Sequence, residues 1–289
     1  MAARILEGEP IAEAIKEQVK QDIEALPRAP KLVGVLASDN PGAKYYARSQ
    51  KKSCAEVGIE YELRKLDPDS SQADLEDQIA AINAEEGVTG CILLMPVPEG
   101  VDARAVQQSI DPDKDVEGVH PANIGRLFYG DFSLAPCTAH AVIRMLQAAD
   151  VDLEGKETVV VGHSEIVGKP TVVMLLKSMM ESPTVTCCHI ATRDLACHTE
   201  RAEVLVVAAG KAGLVSGDMV REGAVVIDVG INRVKVEEDG ERKTRIVGDV
   251  DFEGAKEKAS VITPVPGGVG LVTTAMLLAN TVECARRQT

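Results

Sequence analysis

At 289 residues the chain is long for one domain, and length alone suggests about two. A formal net charge of −14 argues against a general affinity for nucleic acid or anionic membranes. Apolar residues make up 45% of the chain, aromatics only 2%, and Trp is absent, so the expected core is aliphatic, as in a parallel sheet covered by helices.

The first residues, MAARILEGEPIAEAIKEQ, contain no long apolar stretch, so no secretory signal is expected and the chain reads as cytoplasmic. No apolar run reaches the about 18 residues that a membrane span needs. The seven Cys, at 54, 91, 137, 187, 188, 197 and 284, read as reduced thiols. None has C-x-x-C spacing and the five His form no cluster, so no metal is expected.

In chain order, Ile11, Ile15, Val19 and Ile23 recur every four residues and predict a helix over Pro10–Ile23. Leu32–Ala37 is a short apolar strand, followed by the turn cluster Ser38-Asp39-Asn40-Pro41-Gly42. A helix is expected over Ala43–Val57, closed by Gly58, then a strand over Ile59–Leu66 and a helix over Gln72–Ala84. Val88–Met95 is a buried strand ending at Pro96-Val97-Pro98, and Val101–Ile110 a short helix. Asp111–Pro121, DPDKDVEGVHP, reads as an irregular acidic loop, and Ala139–Ala149 as a helix bridging two domains.

A second set of β and α elements follows. Strands are expected at Thr158–Val161, Thr184–His189, Val204–Ala209 and Ala224–Val229, with a helix at Thr171–Met179. VKVEEDGERKTR looks like a solvated hairpin, and Gly254–Lys258 a short helix. ITPVPGGVG, residues 262–270, is too rich in Pro and Gly for regular structure, and Leu271–Arg286 is the last helix. Two successive β/α sets predict two α/β domains with a cleft between them, the second a Rossmann-like parallel sheet. The expected division is 1–140 plus 271–289 against 141–270, with the last helix returning to the first domain.

The stretch most suggestive of chemistry is Thr158–Pro170, TVVVGHSEIVGKP. A strand runs into Gly162, a polar loop reaches Gly168, and Pro170 stands where a helix begins. Such a turn lets a phosphate approach the backbone at a helix N-terminus. In an open α/β sheet, ligands bind beyond the carboxyl ends of the strands. Those ends supply Gly162, His163, Ser164 and Gly168, then Ile190, Gly210, Gly230 and Ile231 as candidate cofactor contacts. At the second strand, His189-Ile190-Ala191-Thr192-Arg193 is a mixed signal: Ile190 offers no donor to a 2′-phosphate, which leans towards NAD over NADP.

Two further groups stand out. Tyr46 and Gln50, four apart, share a helix face, and loop positions suggest that Leu94 and Glu117 lie near them. On residue type alone Tyr46 is equally a core or rim tyrosine and Gln50 a solvated polar residue. ITPVPGGVG, with Pro266, Gly267, Gly268, Val269 and Gly270, makes a bulk-free backbone that can lie against a planar ligand, or a plain hinge.

The series NPGAKYYARSQKKSCAEVGI, ILLMPVPEG, DPDKDVEGVHPANIGRL, PCT, VVVGHSEIVGKP, VIDVGIN, VGDV and ITPVPGGVG, in that order over nearly the whole chain, resembles the methylenetetrahydrofolate dehydrogenase/methenyltetrahydrofolate cyclohydrolase family. The resemblance implies a homodimer, with Thr184–Cys188 and second-domain helices as its interface. It also implies oxidation of a tetrahydrofolate-bound methylene group by NAD or NADP, followed in most members by hydrolysis to 10-formyltetrahydrofolate. It places Tyr46, Gln50 and Glu117 at catalytic positions. Tyr46, Leu94, Met95, Glu117 and the Pro266–Gly270 loop fall at substrate positions.

The departures from the family pattern cluster. Gln50 stands where the family carries its lysine, and Leu94 where it carries a supporting glutamine. Glu117 replaces the aspartate that grips the pterin, and Leu271 and Val272 replace a Pro-Met pair. An amide cannot titrate, so Gln50 cannot serve as general acid or base, whereas hydride transfer depends mainly on alignment of cofactor and substrate. Lys51 and Lys52 are rotated off the Tyr46 face. The expectation is therefore a dehydrogenase with weak or absent cyclohydrolase activity. The alternatives are a bifunctional enzyme, a dehydrogenase for another tetrahydropterin carrier, and a non-catalytic nucleotide- or folate-binding paralogue. A shikimate-dehydrogenase-like reductase fits less well, because the paired Lys and Asp of that class are not evident. His163 and Ile190, where NADP-type members place Arg or Ser, support the lean to NAD.

Overall fold

The computed structural model describes residues 3–238 and 241–289. In chain order the first elements are β1 (Arg4–Ile5), α1 (Glu9–Glu24), β2 (Lys31–Leu36), α2 (Pro41–Val57), β3 (Glu60–Lys65), α3 (Gln72–Ala84) and β4 (Gly90–Leu93). There follow α4 (Ala103–Gln108), α5 (Pro121–Phe128), α6 (Cys137–Ala149), β5 (Glu157–Val161), α7 (Gly168–Leu175), β6 (Thr184–Cys188), α8 (Leu195–Thr199) and β7 (Val204–Val207). The chain continues through β8 (Val225–Asp228), β9 (Asn232–Glu238), β10 (Glu241–Val247), α9 (Phe252–Lys256), β11 (Val261–Ile262) and α10 (Val269–Arg287).

These elements form two α/β units, one of residues 13–137 and 274–289, the other of residues 1–12 and 138–273. The first has a three-stranded parallel sheet ordered β3-β2-β4, among the described residues. Val33, Val35, Leu75, Ile79, Ile82, Cys91 and Leu93 pack into its wholly aliphatic core. Helix α3 is held at both ends. Ser71 and Asp74 form a reciprocal capping box at its start. At its end the buried Lys114 ammonium donates to the carbonyls of Ile82, Asn83 and Glu85 at 3.0, 2.8 and 2.8 Å. A Lys there satisfies carbonyls that a helix terminus leaves free, and complements its dipole.

The second unit has a six-stranded parallel sheet among the described residues, ordered β1-β11-β8-β7-β5-β6. Its central strands are continuous apolar runs, buried on both faces. The chain passes from β5 to β6 on one side and then to β7 on the other, so the strand order reverses between β5 and β7, where doubly wound sheets bind ligands.

Expectation and structure differ locally. Residues 1–12 were grouped with the first domain, but β1 pairs in register with β11, and Leu6 N donates to Ile262 O at 2.8 Å. Strands of two residues carry too little periodicity to read from sequence. Helix α5 begins at the last residue of the expected loop and runs through a stretch given no element; it opens on His120, whose Nδ1 accepts from Ala122 N, with Pro121 at the first turn. Val269 and Gly270 already belong to α10, although their Pro/Gly-rich context suggested irregular backbone. Strands β9 and β10 pair antiparallel at the expected hairpin, and residues 239–240 lie outside the described residues.

Candidate active site

In the first unit, Asn40 caps α2 by accepting from Gly42 N and Ala43 N at 2.8 and 3.2 Å. The helix carries Tyr46 and Gln50 one turn apart. Gln50 is only 1% exposed, whereas Tyr46 is 41% exposed. Lys51 and Lys52 lie on the solvent side of the same helix. Tyr61, on β3, donates its hydroxyl to Gln50 Oε1 at 3.1 Å, and Gln50 Nε2 has no hydrogen-bond partner among the described residues. Leu94 is buried, anchored by its N–H on Val35 O at 2.9 Å, and Met95 beyond it is exposed.

Glu117 sits in the acidic loop, half-buried, with Gln107 Nε2 at 3.4 Å from its carboxylate. The loop is shaped by Asp115, which accepts from Gly118 N, His120 N and Asn123 Nδ2 at 3.1, 2.8 and 2.9 Å. Asn280, on α10, donates to Val116 O and Ala135 O at 2.9 and 3.0 Å, fixing the residue before Glu117. Burial, then the charge of Asp115, pushes the Glu117 carboxyl up to about 7. Burial, followed by the charges of Glu117 and Cys137, raises the Tyr46 phenol to about 12. Tyr46, Gln50 and Glu117 therefore share one electrostatic environment. A carboxyl that ionises near neutrality can accept a hydrogen bond from a heterocycle N–H, or exchange a proton with it.

The second unit holds the nucleotide-type features. Gly162 follows β5 with φ +120, and a Cβ there would collide with the Ala208 carbonyl across the β5–β7 switch point. A Cβ on Gly168 would likewise strike the Gly162 carbonyl, so both positions hold the turn tight at the start of α7. Ser164 Oγ accepts from Val167 N and Gly168 N at 3.2 and 3.4 Å. His163 packs edge-on against His189, with ring centroids 4.8 Å apart. Ile166, Ile190 and Ile231 are all exposed.

Two aspartates set the remaining loops. Asp249 accepts from Ala209 N and Gly210 N at 2.7 and 2.8 Å and from Asn232 Nδ2 at 2.8 Å. Asp228 accepts from Gly230 N, Asp249 N and Val250 N at 2.9, 3.0 and 2.9 Å, and burial pushes its carboxyl up to about 6. The Pro266–Gly270 segment belongs to this unit. Gly267 has φ +107, and its carbonyl accepts from Gly8 N at 2.8 Å. The glycine cradle and carboxylate-pinned loops suit a dinucleotide, whose chemistry when bound is hydride acceptance.

Sequence reading missed Tyr61, Asp249 and Asn280, and reached Asp228 only as the start of a strand end. Asp228 and Asp249 stood within the VIDVGIN and VGDV segments, where an aspartate at a strand end beside glycine is the available signal. Tyr61 carried none, because its partner lies on another element. Among the described residues no group of three or more His, Cys, Asp or Glu is arranged to hold a metal, and no helix is long and apolar enough to cross a membrane.

Fold and site define a two-domain α/β enzyme with a Rossmann-like dinucleotide-binding unit. Residues 6–117 match the catalytic domain of tetrahydrofolate dehydrogenase/cyclohydrolase, and residues 136–289 its NAD(P)-binding domain. The chain belongs to the tetrahydrofolate dehydrogenase/cyclohydrolase family, and is an oxidoreductase of the methylenetetrahydrofolate dehydrogenase type. It is 49% identical to the bifunctional protein FolD of Salinibacter ruber over 287 residues, 98% of this chain and 96% of that protein. It superposes on the bifunctional FolD crystal structure from Campylobacter jejuni with a TM-score of 0.92, at 41% identity and covering 100% of both chains. FolD of Trypanosoma brucei, solved with NADP and an inhibitor, gives 0.91 at 34% identity, covering 99% of this chain and 98% of that one.

Proposed function

We propose that this protein oxidises 5,10-methylenetetrahydrofolate to the 5,10-methenyl form with NAD(P), and that its methenyl cyclohydrolase activity is weak or absent. The observation that carries the reading is Gln50: a buried amide paired to Tyr61 stands where the resemblance places the lysine of the hydrolytic step. Leu94, buried and apolar, offers that position no hydrogen bond. Hydride transfer asks the chain to hold the pterin and the nicotinamide in line, which needs no proton carrier at residue 50. Tyr46 and Glu117 are the proposed pterin contacts, together with Met95 and the Pro266–Gly270 segment. The strand-end residues from Gly162 to Ile231 are the proposed dinucleotide contacts. His163 and Ile190 favour NAD, since neither is a fixed cation for a 2′-phosphate. A homodimer through the β6 edge completes the proposal.

A second reading has specific support. The S. ruber and C. jejuni relatives are called bifunctional, and Glu117, ionising at about 7, is a titratable group beside Tyr46. The deciding assay follows loss of methenyltetrahydrofolate absorbance with and without the protein. No acceleration over the spontaneous rate is expected; a rate typical of an enzyme establishes the bifunctional reading instead. Comparison of kcat/KM for NAD and NADP tests the cofactor preference.

A further inference from the structure

The Gln50 amide poses a problem of its own. It is 99% buried, since only 1% of its surface is exposed, yet Nε2 has no partner. A buried donor left unmade is costly, so such groups are rarely retained without a use. The other end of the amide is fully engaged, because Oε1 accepts from the Tyr61 hydroxyl at 3.1 Å. Tyr61 is itself seated by a special allowance in β2: Gly34 has no side chain, and a Cβ there would collide with the Tyr61 hydroxyl and approach Leu94 Cδ1 at 3.5 Å. Gly34, Tyr61 and Leu94 thus fit one another, with the Tyr61 hydroxyl filling space between strands and pointing at Gln50. On its other side the Gln50 amide interacts with the Tyr46 phenol, the exposed member of the group, and offsets part of that group's upward shift, without reaching full hydrogen-bond geometry.

We infer that Tyr61 is a positioning residue: it fixes the Gln50 amide so that its Nε2–H2 edge is held as a donor for an acceptor atom of the bound folate. The inference rests on the reading of Tyr46 and Gln50 as the pterin site. A hydroxyl can donate to the amide oxygen or accept from the amide nitrogen; here it donates to Oε1, which directs Nε2 towards the Tyr46 side of the group. With Oε1 tied, the nitrogen is turned away from Tyr61. Substrate binding then supplies the missing acceptor. In this chain the amide is an oriented hydrogen-bond donor, and Tyr61 is what orients it.

The test is a double-mutant cycle read by folate affinity, with 5-formyltetrahydrofolate as a stable probe in calorimetry and methylenetetrahydrofolate in steady-state kinetics. Tyr61→Phe keeps the ring and removes only the hydroxyl. It is expected to weaken folate binding about three- to tenfold, the worth of one ordinary hydrogen bond. KM for NAD(P) should stay within about twofold. Gln50→Met removes the donor while filling similar volume, and should weaken folate binding at least as much. In the Gln50→Met background, Tyr61→Phe should have no further effect, because Tyr61 acts only through the amide. Unchanged folate affinity in Tyr61→Phe overturns the inference, as does an equal loss in both backgrounds, which would mark a merely structural tyrosine. The cycle is independent of hydrolysis: accelerated methenyl hydrolysis by the unmodified protein would sink the monofunctional reading and leave the cycle standing. Absence of folate binding by the unmodified protein would overturn both.

Discussion

Asp249 lies outside any direct substrate contact proposed above, yet its removal should be felt at the dinucleotide. Its two carboxylate oxygens take three donors, Ala209 N, Gly210 N and Asn232 Nδ2, all within 2.8 Å. Replacement by Ala strands all three. Each lost partner costs about 1–3 kcal/mol when water cannot replace it. Asp249 is buried but Ala209 and Gly210 are exposed, so water offsets part of the loss and the sum is at most about 3 kcal/mol. For a domain of this size that corresponds to a fall in Tm of about 6–12 °C. Asp249→Asn should recover most of this, because its one amide oxygen can accept from both Ala209 N and Gly210 N while Asn232 turns its own oxygen to the new N–H groups. The Gly210 loop borders the proposed dinucleotide site, so KM for NAD(P) should rise by about tenfold or more, while 5-formyltetrahydrofolate affinity holds within about twofold. Thermal unfolding and separate titration of the two ligands measure these effects. A variant with unchanged Tm and unchanged KM for the dinucleotide would refute the claim that Asp249 sets this loop.

Other expectations follow from the same kind of accounting. Lys114→Met should destabilise the first unit by about 2–4 kcal/mol in urea unfolding, since three carbonyls at the end of α3 lose their donor. Gly34→Ala should displace Tyr61 and reproduce the folate-binding loss of Tyr61→Phe, with an added stability loss of about 1–3 kcal/mol from overpacking. Glu117 gives a pH signature. Its carboxyl rises from 4.5 to about 7 in the folded chain, so the native state keeps a proton that the unfolded chain has released. The stability it contributes is fully present below about pH 4.5 and is lost as pH climbs to about 7, by up to about 3 kcal/mol. Glu117→Gln should flatten that slope in unfolding experiments at stepped pH.

Much of this organisation was legible in the sequence because it is local. Valine-rich runs bounded by glycine announced β5, β7 and β8, and the four-residue spacing of Ile11, Ile15, Val19 and Ile23 announced α1. The glycine turn at Gly162 was recognisable because its function constrains consecutive residues. What escaped was non-local. β1 and β11 are two residues each and exist through pairing with distant strands, β1 with β11 and β11 with β8. Tyr61 became informative only when β3 was laid beside β2 and α2, and Asn280 only when α10 met a loop some 150 residues earlier in the chain. Helix α5 was hidden because its first turn is built from His120 and Pro121, which read as loop residues.

The path of the chain has a consequence for how the protein is made. Each unit is assembled from two separated stretches, with changes of unit after Ala12, Cys137 and Thr273. On the ribosome, residues 13–137 emerge early but lack the segment 274–289 that completes their unit. Asn280, which ties down Val116 and Ala135, is synthesised long after them. The loop that presents Glu117 therefore lacks these two bonds until the later segment has emerged. Neither unit can be excised as one continuous fragment.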